Sequence, residues 1–103
     1  MKSRFHEQAA DDLDEDVRYY NDASPGLGLQ FLAEARAAVE LLERHPRLAT
    51  VVADEIRAKH LMRFPHTLLY VLEEDEIVVL AVAHQRQDFS RWLEIVRSRQ
   101  AGA

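Results

Sequence analysis

The segment Ile77–Ala83 reads IVVLAVA, seven apolar residues in succession. Read at the strand period of two, its odd and even positions are both apolar, so the strand belongs at the centre of a sheet. It is far short of the ~20 residues that span a bilayer as a helix. The preceding run His66–Glu73, HTLLYVLE, is also rich in Leu and Val, and the acidic stretch Glu73–Glu76 between the two marks a hairpin turn. Upstream, Ile56–Phe64 alternates: Ile56, Ala58, His60 and Met62 share one side, and Arg57, Lys59, Leu61 and Arg63 share the other.

The first half of the chain has a different period. From about Glu7, Ala9/Ala10, Leu13, Val17 and Tyr20 follow one face of a helix. Asp11, Asp12, Asp14, Glu15 and Asp16 occupy its other face, read as a solvated face with acids near the helix N-terminus. Ser24 and Pro25 serve as cap and first-turn residue of a second helix. Leu27, Phe31, Ala35, Ala38/Val39 and Leu42 carry that helix to His45, where Pro46 stops it. A short strand is expected around Arg4–Glu7, and a third helix opens near Asp88 or Ser90, with Trp92 and Ile95/Val96 inward. The expected fold is α+β: an N-terminal short strand and an antiparallel two-helix hairpin packed on an antiparallel β-sheet, with a short C-terminal helix. Residues 1–103 carry no repeat, linker or low-complexity tract and read as one domain.

Several functional classes drop out early. The chain has no cysteine, which removes disulfides and thiolate metal sites. Its five histidines, at 6, 45, 60, 66 and 84, show no metal-ligand spacing, so no metal is expected. Gly26 and Gly28 lack the spacing and the Lys-Ser/Thr of a phosphate loop, and no other cofactor motif appears. The N-terminus lacks the apolar core of a signal peptide, and the expectation is a cytoplasmic protein without membrane contact. The net charge is −5, yet it is unevenly spread. Residues 1–45 hold five basic and ten acidic side chains, whereas residues 46–103 hold eight of each, with bases grouped at Arg57–Arg63 and Arg86–Arg99.

If the helical hairpin covers the Ile56/Ala58 side of the third-quarter strand, Arg57, Lys59 and Arg63 form a cationic row on the opposite side. Such a row is about 7–13 Å long, which suits neighbouring phosphates of a nucleic acid. The same charges also serve as solubilising groups on an edge strand. Counting by twos from Val78 through Leu80 and Val82 puts His84 at the strand's end, with Arg86 two residues on. Histidine can take or give a proton near neutrality, and arginine can hold a phosphate while keeping its own proton. That pair suits metal-free RNA cleavage, which needs a base, an acid and cations about the phosphorane.

The segments Ala9–Tyr20, Ser24–Leu32, Glu43–Pro46, Ile56–Tyr70 and Glu76–Trp92 together resemble the RelE/ParE superfamily of toxins from bacterial type II toxin–antitoxin modules. The tokens that carry the resemblance are the double tyrosine, SPGLG, the Phe64-Pro65 strand entry, AVAH at Ala81–His84, and the downstream Trp92. The resemblance implies the same α+β fold, no cofactor, and a cognate antitoxin that wraps and neutralises the toxin. It also implies that promoter DNA is bound only through the antitoxin. Its members act on two kinds of target. ParE-like members poison DNA gyrase by protein contact, and RelE-like members cleave messenger RNA on the ribosome without metal. The ParE-like action is the first expectation here, with the ribonuclease as the alternative. In that alternative His84 and Arg86 are catalytic, while Arg57, Lys59, Arg63 and Trp92 bind RNA or target. This chain has no tyrosine after Tyr70, and Gln87 stands where many relatives have a second arginine.

Overall fold

A computed structural model gives the fold and describes residues 1–102. The chain runs β1 (Lys2–Phe5), α1 (Glu7–Ala23), α2 (Leu27–Arg44), β2 (Thr50–Ala53), β3 (Ile56–His60), β4 (His66–Glu73), β5 (Glu76–His84) and α3 (Phe89–Gly102). Five strands form one sheet in the order β1-β5-β4-β3-β2. The antiparallel expectation holds for β2 through β5, while β1 joins β5 in parallel. β2 is a strand that the alternation did not reveal, because three of its four residues are exposed and its side chains do not mark an inner face. The central position expected for β5 is the one observed, and Glu74 at φ 50 turns the acidic hairpin into it.

The turn between α1 and α2 differs from the expected cap. Ser24 ends α1, with its N–H donating to the Tyr20 carbonyl, and α2 begins two residues beyond Pro25. Its N-cap is Gly26 at φ 88, a backbone conformation that glycine adopts without a Cβ clash. The side-chain cap comes from α1 instead: Asn21 Oδ1 accepts the Gly28 N–H at 2.7 Å. A Cβ on Gly28 would lie 2.2 Å from the Val17 carbonyl oxygen, so the two helices meet there backbone to backbone.

Each face of the sheet has its own core. The hairpin supplies Phe31, Ala38 and Leu42, with Leu13, Val17 and Tyr20 packed alongside, against Leu68, Tyr70, Ile77, Val79 and Val82. α3 supplies Val96, Trp92 and Leu93 against Ile56, Ala58, Leu69, Val71, Val78, Leu80, Ala81 and Ala83. The side of β3 bearing Ile56 and Ala58 is therefore covered by α3 and not by the hairpin. Arg57 and Lys59 face the hairpin layer, the reverse of the expected arrangement. Alternation groups residues by face, but it does not say which layer covers that face.

β5 also breaks the count by twos. Ala81 pairs with Leu69, whereas Val79 pairs with Tyr70, leaving Leu80 as an extra residue in the ladder. Such a bulge shifts every later side chain to the opposite face. Val78 and Leu80 accordingly point toward α3, and Val82 and His84 lie toward the hairpin.

Candidate functional site

β5 delivers His84 to the end of the sheet, and the turn that follows holds it in place. The Arg86 backbone N–H donates to His84 Nδ1 at 3.0 Å, which puts the proton of the neutral ring on Nε2. Burial lowers the His84 pKa below its ordinary value, and the neighbouring His66 and Arg86 push it further down against the opposing pull of Asp16. The ring is thus held neutral at pH 7. The charge of Arg86 also reaches Tyr20, whose hydroxyl is raised above its ordinary range by burial and by Asp16 and Tyr19 in spite of that cation. Among the described residues the Arg86 side chain has no ion-pair partner.

Beside His84 stands His66, which is 2% exposed, with the ring centroids 4.9 Å apart and nearly perpendicular. His66 Nε2 lies 3.5 Å from Asp16 Oδ2, and its Nδ1 is buried without a hydrogen-bond partner. Rings of Tyr20 and Phe31 pack edge-on against it. Nothing in the sequence joins Asp16, His66 and His84 into a row: Asp16 reads as solvated helix face, and the spacing of the histidines points to no shared site.

The cations expected to form a row with His84 do not converge on it. Arg57 Nη1 donates to the carbonyls of Ala49 and Arg47 at 2.7 and 3.2 Å, tying β3 to the α2–β2 loop. Arg63 lies beyond the end of β3 and pairs with Glu34 of α2 at 3.1 Å. Glu34 also accepts the Met62 and Arg63 backbone N–H groups, so it anchors that loop. Lys59 donates to the adjacent His60 carbonyl.

A cavity of about 430 Å³ opens where β3, β4 and β5 meet the start of α3. Val52, Ala58, Leu69, Ala83, Phe89 and Trp92 line it, with polar groups from His60, Thr67, His84, Gln85 and Gln87. His60 Nδ1 and Thr67 Oγ1 are hydrogen-bonded at 2.6 Å. Phe89 is nearly half exposed, and Trp92 has a buried Nε1 without a partner. Among the described residues, no Arg or Lys lines the cavity. Among the described residues, no group of three or more His, Asp or Glu stands close enough to hold a metal ion.

A second polar device secures the far side of β5. β1 stops pairing at Val79, so β5 from Leu80 onward has no strand on that edge. Asp12 of α1 accepts the Val82 N–H at 3.2 Å, and Arg99 of α3 donates to the Leu80 carbonyl at 2.7 Å. The two side chains join each other through contacts of 2.7 and 3.1 Å. Asp12 and Arg99 stand in for the absent strand across the bulge, and the Arg99 guanidinium also sits 6.0 Å over the Trp92 ring. At a sequence separation of 87 positions, nothing in the sequence links the pair.

A helical hairpin on one face of a five-stranded sheet, a helix on the other and a cleft at the end of β5 make up the α+β arrangement expected of the RelE/ParE superfamily. A family model described as the ParE toxin of the type II toxin–antitoxin system parDE matches residues 4–89, most of the chain. The chain belongs to the ParE toxin family, and with that membership comes a cognate antitoxin as partner. Among solved structures, a chain from a chromosomal ParDE toxin–antitoxin system of P. aeruginosa is similar in fold. The TM-score is 0.73 at 20% identity, over 82% of this chain and 95% of that one. No curated protein matches the sequence. Among the described residues, no helix is long and apolar enough to cross a membrane.

Proposed function

We propose that this toxin arrests growth by protein–protein contact with DNA gyrase, and that its antitoxin silences it by binding the free protein. The observation that carries this reading is the fate of the cations. A metal-free ribonuclease needs several positive groups converging on the scissile phosphate beside an acid and a base. Here Arg57 and Arg63 are held by loop carbonyls and by Glu34, and among the described residues no Arg or Lys lines the cleft beside His84. A surface of that kind suits a protein side chain better than a polyanion. The exposed Phe89, with Trp92 behind it and Arg86 beside the rim, offers an apolar anchor edged by a cation. Neither step calls for a cofactor, and both proteins would meet in the cytoplasm.

One observation favours the alternative of a ribosome-dependent ribonuclease. His84 is held with its Nδ1 engaged and its Nε2–H left as a donor, and Arg86 next to it is unpaired, which is a workable pair of groups for holding a phosphate. The two readings separate cleanly. Purified toxin added to gyrase and supercoiled plasmid should stabilise cleaved complexes, and in a translating lysate it should leave transcripts intact. Phe89→Ala should weaken the gyrase effect by about thirtyfold, the scale of a hot-spot truncation of about 2 kcal/mol. Transcript cleavage lost in His84→Ala and Arg86→Ala, with gyrase unaffected by the wild-type toxin, would establish the ribonuclease and overturn the gyrase reading.

A further inference from the structure

Residues 85–88 carry the chain from β5 to α3, and His84 anchors them twice. Its carbonyl accepts the Gln87 N–H at 3.1 Å, and its Nδ1 accepts the Arg86 N–H at 3.0 Å. A further bond, from the Gln85 N–H to the Pro65 carbonyl at 2.8 Å, ties the turn to the loop before β4. A side chain that accepts the N–H two residues on is the usual work of Asn or Asp. Histidine fills that place here with a ring nitrogen, and such an acceptor differs in kind. The imidazolium donates from both nitrogens and accepts at neither.

We infer that the β5–α3 turn is a proton-operated clasp, closed while His84 Nδ1 is a bare acceptor and released when that nitrogen takes a proton. Protonation sets an Nδ1–H against the Arg86 N–H, so the bond is removed and not merely weakened. The surroundings keep the clasp shut near neutrality. Burial, His66 of β4 and Arg86 of the turn itself disfavour a charged ring, and Asp16 of α1 favours it. α1 also brings Tyr20, whose burial keeps its hydroxyl protonated. α2 presents the uncharged Phe31 to His66, α3 presents Phe89 and Trp92 to the adjoining cavity, and β3 presents His60, bonded to Thr67. The His84 ring is therefore neutral at pH 7 and charges as pH falls through its folded value, below the ordinary ~6.5. Release is local. Val96 and the Arg99 contacts hold the far part of α3, while Gln85, Gln87, Phe89 and Trp92 wall the cavity beside the turn. Opening the clasp loosens that wall and wets Trp92 with the sheet intact.

The chain has a single tryptophan, Trp92, so the full-length toxin offers two local readouts. A titration by NMR from about pH 7.5 to about pH 5 brackets the ring. As the His84 ring titrates, the protection factor of the Arg86 amide should fall by roughly fivefold or more, the scale of one lost hydrogen bond. The Trp92 emission maximum should move to the red with the same midpoint. His84→Asn keeps an acceptor, the side-chain amide oxygen, at every pH. Its Arg86 amide should stay protected and its emission fixed. His84→Ala should leave the amide unprotected even at neutral pH. His6 accepts the Gln8 N–H in the same manner, and the Asn variant, which retains His6, His60 and His66, isolates His84. Circular dichroism checks that each variant is folded, and if His84→Ala is not, the wild type and His84→Asn decide the matter. An Arg86 amide that stays protected after the ring has titrated overturns the inference. So does an Asn variant that follows the wild-type transition, because another histidine then drives it, or a His84 ring that stays neutral until the whole fold melts.

Discussion

Removing the Asp12 carboxylate should destabilise the fold more than any other single loss of charge. The side chains of Asp12 and Arg99 are 17% and 9% exposed. Asp12→Ala deletes two charge-assisted hydrogen bonds to Arg99 and the one from the Val82 N–H. It also leaves a guanidinium that is mostly out of water, whose Nε has no partner even in the intact protein. Breaking a fully buried pair from one side costs about 3–5 kcal/mol. Partial exposure of Asp12 and the remaining bond from Arg99 to Leu80 reduce this to about 3 kcal/mol. Against a total stability of about 5–15 kcal/mol, such a loss lowers the melting temperature by roughly 10–20 °C. Chemical denaturation of Asp12→Ala, Arg99→Ala and the double variant completes a cycle in which the coupling should be about 2 kcal/mol. The Asp54–Arg97 pair, whose side chains are 65% and 51% exposed, is the internal control and should couple by less than about 1 kcal/mol. A cost for Asp12→Ala below about 1 kcal/mol, or single-variant costs that simply add, would refute the claim that this pair replaces the missing strand.

Three further outcomes follow from the geometry. Gly28→Ala forces a methyl group against the Val17 carbonyl and the Asn21 side chain, so the helices must part. Denaturation should register a loss of at least about 2 kcal/mol, whereas alanine at the strained but open Gly26 should cost only about 1 kcal/mol. At Glu34, burial raises the carboxyl pKa, but hydrogen bonds from Arg63 and Met62 outweigh it and the net shift is downward. Its contribution is therefore present above the unfolded pKa of about 4.3 and disappears as pH falls through the folded value. Glu34→Gln should be less stable than wild type at pH 7, with the gap closing in acid when both are followed by urea denaturation. The His84 ring should titrate below about 6.5 in NMR spectra. Because its folded pKa is depressed, stability falls as pH drops below the unfolded value, and Arg86→Ala should move the midpoint upward.

The gap between sequence and structure has one main source, and β5 shows it. Its length, apolar character and central place are legible in IVVLAVA, because burial on both faces leaves that signature whatever the neighbours do. Which residues face which layer is not legible, since one unpaired residue at Leu80 reverses the alternation beyond it without leaving a polar or glycine mark. The cationic row fails for a related reason. Arg57, Lys59 and Arg63 have the right spacing, but their partners are Ala49, Arg47, His60 and Glu34, set by how the α2–β2 loop and α2 itself come to lie beside β3. The helices were easier, because each satisfies its own period locally, and only the cap between them moved, when Asn21 rather than Ser24 took the orphan N–H. The bulge then connects these failures to function. By turning His84 toward His66 and the hairpin, it leaves the α3 side of the sheet end to Ala83, Phe89 and Trp92. Had the count by twos continued unbroken, His84 would share a face with Val78 and Leu80, on the α3 side of the sheet. The turn of His84 toward His66 is thus a consequence of a single inserted residue that Asp12 and Arg99 hold in place.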